Sequence, residues 1–223
     1  MKIIEYPDRD MLAIDVANRL AGDLETHLIS HGSASFAVAG GTTPAPIFSG
    51  LCAADIEWSR VRIMATDERW VDSNNERSNA RMIRETLLTE RAEKAEFVPF
   101  YTGDESPDDA LEKLENAISP DLPISVLLLG MGADMHTASL FPGVDGLEAA
   151  LAPTAPAFAV MRPSSQPEAR VSLTAPVLDA AIAKHLVIYG TEKLEALERA
   201  STLPPEEAPI QAVLSGTVVH WSP

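Results

Sequence analysis

The chain has 223 residues, 46% of them hydrophobic and 22% charged, which suffices for one sizeable core and argues against wholesale disorder. Seventeen lysines and arginines stand against 33 aspartates and glutamates, a formal net charge of −16, so the surface repels nucleic acid and anionic membranes. No apolar run approaches the roughly 18 residues of a membrane helix, which sets aside a membrane partner. Glu5, Pro7 and Asp8 arrive before any long apolar stretch could form, against a secretory leader. The lone Cys52 fits a reducing compartment and reads as a small buried side chain. A cytoplasmic protein with one domain over residues 1–223 is expected, as a monomer or small homo-oligomer.

In chain order, residues 2–6 predict a strand. Leu12, Val16, Leu20, Leu24 and Leu28 recur every four positions and predict a helix over 10–30, stopped by His31-Gly32. Residues 36–39 are a second strand, and Thr43-Pro44 opens a helix with threonine as cap and proline at the first helical position. A strand over 61–65 leads into a polar loop and a helix over 78–90. A short strand over 96–100 and a helix over 107–118 follow. The run 124–129 is the most apolar and belongs at the sheet centre. Strands over 157–161 and 169–173 are expected, and prolines at 153, 156, 163 and 167 mark an irregular surface stretch around the first of them. Thr174 caps a helix reaching about residue 183. Then come a strand over 186–189, a helix over 191–200 and a last strand over 218–221. The alternation predicts a three-layer α/β sandwich with a largely parallel, Rossmann-like central sheet.

Such sheets bind ligands in the loops after the carboxyl ends of their strands. After Ala39, Gly40-Gly41-Thr42-Thr43-Pro44 combines a sharp turn, a helix N-terminus and hydroxyl donors, an anion cradle in outline. After Ala65, Asp67-Glu68-Arg69-Trp70 offers an arginine for bidentate phosphate binding, with Asp67 able to orient it or a substrate hydroxyl. Trp70 reads as core. After Leu129, Gly130-Met131-Gly132-Ala133-Asp134-Met135-His136 sets a histidine beside a carboxylate at the cleft, the pairing used for proton transfer near neutral pH. Asp134 and Asp67 are both candidates to steady that imidazole. Arg170 and Lys193 are basic residues near strand ends in an acidic chain, where an anionic substrate needs local positive charge. The histidines show no zinc spacing, so no metal site is expected.

These segments, together with Ser78-Asn79, the run His136-Thr137-Ala138-Ser139-Leu140-Phe141-Pro142-Gly143, Arg170-Val171-Ser172-Leu173-Thr174 and Gly190-Thr191-Glu192-Lys193, occur in order over nearly the whole chain. They resemble the 6-phosphogluconolactonase family. The resemblance implies a fold shared with sugar-phosphate isomerases and deaminases, no cofactor, and opening of 6-phospho-D-glucono-1,5-lactone to 6-phosphogluconate. It implies His136 as general base, with Arg69, Arg170, Lys193 and the Gly41-Thr42 turn on the phosphate and the developing negative charge. The family usually has glycine where this chain has Met135, and a methionine is strained there if the position needs positive φ. Asp72 replaces a frequent proline, a change expected to matter little. A deaminase using Asp67 on a carbon-bound proton, or a non-catalytic phosphosugar-binding module, are the alternatives. The Asp-Glu-Arg-Trp-Val and Ser-Leu-Phe-Pro-Gly segments favour the lactonase.

Overall fold

Strands and helices alternate along the computed structural model, which describes residues 1–164 and 166–223. The order is β1 (Lys2–Glu5), α1 (Arg9–His31), β2 (Ala34–Val38), α2 (Ala45–Leu51), β3 (Val61–Ala65), β4 (Asp67–Arg69), α3 (Asn79–Thr86), β5 (Glu96–Val98), α4 (Leu111–Ile118), β6 (Val126–Gly130), α5 (Leu147–Leu151), β7 (Phe158–Met161), β8 (Arg170–Leu173), α6 (Ala175–Asp179), β9 (Ala183–Tyr189), α7 (Thr191–Ala200) and β10 (Val218–Ser222). A parallel sheet of seven strands runs β1-β10-β9-β6-β2-β3-β5. A second, antiparallel sheet runs β4-β8-β7.

Strand β6 is the middle strand of seven, the place its apolar run predicts. Every residue of β2 is buried, and so are Val126 through Leu129 of β6. Alternate side chains point to opposite faces. Burial without alternation therefore means that both faces of the sheet are covered, as a three-layer α/β sandwich requires.

Helix α1 is the clearest case of sequence dictating packing. The Asp8 side chain accepts from the Met11 N–H at 2.8 Å, and Gly32, at φ +81°, closes the other end by donating to the Leu28 carbonyl. The stripe of Leu12, Val16, Leu20 and Leu24 is fully buried. Truncating one such leucine to alanine costs about 2–5 kcal/mol. Beneath this helix a row of polar groups links it to β9 and β10. Tyr6 Oη lies 2.5 Å from Asp15 and 2.9 Å from His220 Nδ1. His220 Nε2 lies 3.0 Å from His185, whose Nε2 lies 2.8 Å from Asp23. Burial, with the cation of Arg19 and the His185 ring nearby, pushes His220 down to about 3, and burial with Asp15 pushes Tyr6 up to about 12.

Several boundaries differ from the sequence-based expectation. Residues 67–69 form strand β4 rather than loop; three polar residues carry no apolar signal, and only their pairing with β8 makes them a strand. Thr43 does not cap α2: Pro44 occupies the cap position in helical geometry, with no side-chain bond. Thr174 does stand at the cap position of α6, but its hydroxyl donates to the Pro156 carbonyl at 2.7 Å and makes no cap bond to the helix. That helix stops at Asp179, and Ala183 already begins β9. Helix α3 ends at Thr86 rather than near residue 90, where Glu90, at φ +50°, opens a separate 3-10 turn over Glu90–Lys94. The segment over 107–118 splits into a 3-10 turn, Pro107–Ala110, and α4. Cys52 and Trp70 pack as expected, the first buried and the second half-buried against the core. No helix is long and apolar enough to cross a membrane among the described residues.

Candidate active site

The loops after β2, β3, β6 and β9 meet in a cleft of about 230 Å³ at the carboxyl edge of the parallel sheet. Gly41, Thr43, Asp67, Arg69, His136, Arg170 and Lys193 all line it. Thr42 does not line it and is exposed. Asp134 is connected to it only through His136.

Strand β4 sorts its three residues by face. Asp67 and Arg69 point into the cleft, while Glu68 between them points the other way. The Glu68 carboxylate is almost wholly buried and accepts from the backbone N–H groups of Arg69 (2.8 Å), Asn79 (2.8 Å) and Ala80 (2.7 Å) and from the Ser78 hydroxyl (3.2 Å). Burial raises its pKa, against the lowering pull of those N–H donors. Glu68 thus clamps the start of α3 onto β4, next to the cap that Ser78 gives Arg81. In the sequence Glu68 shows no role of its own beside Asp67 and Arg69. Its clue was an acid in a strand followed by a Ser-Asn helix start. Asn79 is placed the same way: its side chain donates to the Asp67 carbonyl at 2.7 Å. A Cβ on Gly40 would lie 2.1 Å from the Asn79 Oδ1, so only glycine lets the β2 loop close over it.

Across the small sheet Arg69 stands directly opposite Arg170. Like charges so placed repel. Burial lowers the Arg170 pKa, opposed by Asp67, while the cations of Arg69 and Arg77 lower it further. Among the described residues, the buried Nε atoms of Arg69 and Arg170 have no acceptor. The Arg69 head group also donates to the Arg77 carbonyl. Asp67 does not orient Arg69 and does not pair with His136. Its Oδ2 accepts from Ser139 Oγ at 2.6 Å and lies 3.8 Å from Arg170.

The loop after β6 carries His136. Gly132 donates to the His136 carbonyl and Met135 to the Gly132 carbonyl, both at 3.0 Å. This is a tight turn followed by a bulge, a pattern that sets the residue after the turn in the left-handed region and favours glycine there. Met135 accordingly sits at φ +66°, which is the strain that the sequence made conditional. Its carbonyl accepts from Ile210 at 3.1 Å, and its side chain packs partly buried against the core. The turn brings Asp134 Oδ1 to 2.5 Å from His136 Nδ1. A carboxylate oxygen accepts, so Nδ1 is the donor in this pair, and in a neutral imidazole the lone pair is then on Nε2. Nε2 has no protein partner among the described residues. A Cβ on Gly132 would fall 2.2 Å from that Nδ1 and 2.4 Å from that Oδ1, so the pair exists because Gly132 is bare.

Lys193 belongs to the first turn of α7 and lines the same cleft. Tyr189, just before that helix, reaches the Thr43 carbonyl at 3.4 Å and draws the two loops together. The described residues hold no group of three or more His, Cys, Asp or Glu arranged to hold a metal ion. The assembled chemistry is a half-buried imidazole with an orienting carboxylate, facing cations that repel each other.

Known proteins share both the sequence pattern and the fold. The family described as glucosamine-6-phosphate isomerases/6-phosphogluconolactonase matches residues 7–221. A 6-phosphogluconolactonase of Rhizobium meliloti is 38% identical over 232 residues, covering 100% of this chain and 98% of the relative. A crystal structure of a 6-phosphogluconolactonase from Shewanella baltica superposes with a TM-score of 0.96 at 31% identity, covering 100% of this chain and 98% of that one. A monomeric glucosamine-6-phosphate deaminase shares the fold alone, with a TM-score of 0.82 at 16% identity over 100% of this chain and 97% of that one. The chain belongs to the glucosamine-6-phosphate isomerase/6-phosphogluconolactonase family.

Proposed function

We propose that this chain is a 6-phosphogluconolactonase acting in the oxidative pentose phosphate pathway: a carboxylic ester hydrolase that opens 6-phospho-D-glucono-1,5-lactone to 6-phosphogluconate, working in the cytoplasm as a monomer or small homo-oligomer without nucleic-acid or membrane partners. One observation carries the reading: His136, bonded to Asp134, shares a cleft with Arg69, Arg170 and Lys193. The relatives' names supply the reaction, and the cleft supplies groups that suit it.

In this reading the cations hold the phosphate, and that binding energy positions the ring. His136 Nε2 removes a proton from the attacking water. Asp134 steadies the imidazolium that forms. Arg69, or a backbone N–H group of a glycine loop, offers a donor to the negative charge that develops on the carbonyl oxygen. The imidazolium then returns its proton to the leaving ring oxygen, which becomes the C5 hydroxyl of the open acid.

The test is a coupled assay. The lactone is generated from glucose 6-phosphate, the protein is added, and 6-phosphogluconate is followed against the spontaneous blank. Activity above the blank is expected, and His136→Ala loses about 10²–10⁴-fold. Ammonia release from glucosamine 6-phosphate instead would assign the deaminase reaction. Turnover at the wild-type rate in His136→Ala would reject that residue as base.

A further inference from the structure

We propose that Phe141 is a positioning residue for the reaction, the surface against which the His136 ring packs and its positive charge is accommodated. The inference rests on the reading of His136 as base.

The chain builds this contact deliberately. Thr137 and Leu140 pair as an isolated antiparallel bridge, with the Leu140 N–H bonded to the Thr137 carbonyl at 2.9 Å. Ala138 takes φ +48° to allow so tight a reversal. Residues 136 and 141 are the next pair outward, so the reversal returns Phe141 onto His136. The hinge of the turn is fixed from below. The Thr137 hydroxyl donates to the Gly130 carbonyl at 3.0 Å, Ser139 donates to Asp67, and Thr137, Ser139 and Leu140 are all fully buried. Phe141 is thus presented by a rigid support, while its own ring is half-buried.

The result is a ring-on-ring contact with centroids 4.4 Å apart and planes at 37°. Asp134 grips His136 at one edge atom only, and its side chain is 56% exposed. An edge bond open to water leaves the imidazole free to tilt about it. The tilted contact with the Phe141 ring restricts that freedom. The negative face of an aromatic ring also attracts cations, and the Arg170 guanidinium already lies 5.4 Å from the Phe141 centroid. When His136 accepts the proton of water, a second cation appears beside the same ring. Phe141 lowers the energy of that state and leaves the neutral one little changed.

The test compares Phe141→Leu, which keeps apolar bulk and removes the π face, with Phe141→Tyr, which keeps the face. Both are assayed for lactone hydrolysis across pH beside His136→Ala, with melting temperatures recorded. Phe141→Leu is expected to lower kcat roughly 2- to 30-fold, with a smaller change in KM. It is also expected to move the acidic limb of the pH–rate profile to lower pH, since the imidazolium loses support. Phe141→Tyr restores both. A role in folding alone would leave that limb in place. If Phe141→Leu melts early, Phe141→Met gives the same readout with a more adaptable side chain. An inactive His136→Ala beside leucine and methionine variants with wild-type kcat and an unmoved limb overturns the role of Phe141 and leaves the base intact. An active His136→Ala overturns both.

Discussion

Asp134 Oδ1 lies 2.5 Å from His136 Nδ1, whereas the carboxylate of Asp67 faces Ser139 and Arg170. The two acids are therefore separable by mutation. Hydrogen bonds to charged groups contribute about 1.5–3 kcal/mol, and the exposure of Asp134 places this one at or below the lower end. Asp134→Ala is expected to reduce kcat roughly tenfold, less than His136→Ala, with little change in melting temperature. Asp67→Ala should instead lower stability, because it leaves Arg170 without its nearby carboxylate in the interior. Steady-state kinetics and thermal melts on the two variants check the division. Equal kinetic losses without a difference in melting would contradict it.

Gly132 makes a sharper test of the same geometry. Alanine there is incompatible with the positions of both the imidazole and the carboxylate, but these side chains are partly exposed and can swing into solvent. Gly132→Ala is expected to lose most of the activity that His136→Ala loses, while unfolding in urea within about 1 kcal/mol of wild type. A fully active Gly132→Ala enzyme would mean that the His136–Asp134 pair does not act as drawn.

His220 sets a pH dependence of stability. Its folded-state pKa of about 3 lies below the ordinary value of 6.5, chiefly through burial. The fold therefore favours the neutral ring. That contribution is fully present above pH 6.5 and is lost as pH falls toward 3, by at most about 1.4 kcal/mol per pH unit. Tyr6, Asp15 and Arg19 on one side and His185 and Asp23 on the other face this ring or its partners. His220→Phe keeps the ring shape without the titration. It should be less stable than wild type at pH 7, since two hydrogen bonds go, yet lose less stability between pH 7 and pH 5. Urea titrations at the two pH values decide it. A larger acid loss in the variant would be the wrong sign.

Met135 tests backbone strain. Left-handed backbone costs an L-residue about 1–2 kcal/mol. Glycine relieves this but gives back about 0.5–1 kcal/mol in chain entropy and forfeits the part-buried thioether. Met135→Gly should thus unfold within about 1 kcal/mol of wild type and stay active. Met135→Val, β-branched at positive φ, should lose more than 1 kcal/mol and some kcat. Chemical denaturation of the pair settles the order.

The architecture was legible because burial leaves periodic marks. The four-residue spacing of α1, the apolar run of β6 and the glycine loops at strand ends each follow from one local rule. Most of the residues lining the cleft were legible for the same reason. What stayed hidden depends on partners far away in sequence. Asp67, Glu68 and Arg69 read as loop because nothing local shows that residue 170 lies across from 69. Thr174 reads as a cap until Pro156 arrives to take its hydroxyl. The choice between Asp134 and Asp67 needed the turn that Gly132 and Met135 close. The contact of Phe141 with His136 carries no local mark, since only the reversal at Ala138 sets the two rings together.

Strand β4 has a consequence beyond its three residues. Its odd and even positions serve opposite neighbours, the cleft on one side and the amino end of α3 on the other. Parity thus matters as much as identity at this spot. One residue added or removed between Ala65 and Asp67 would turn the segment over, sending Glu68 into the cleft and Arg69 toward the backbone N–H groups that now meet a carboxylate. Length here is as tightly constrained as any side chain, and the chain can drift in sequence around β4 far more easily than it can change its count.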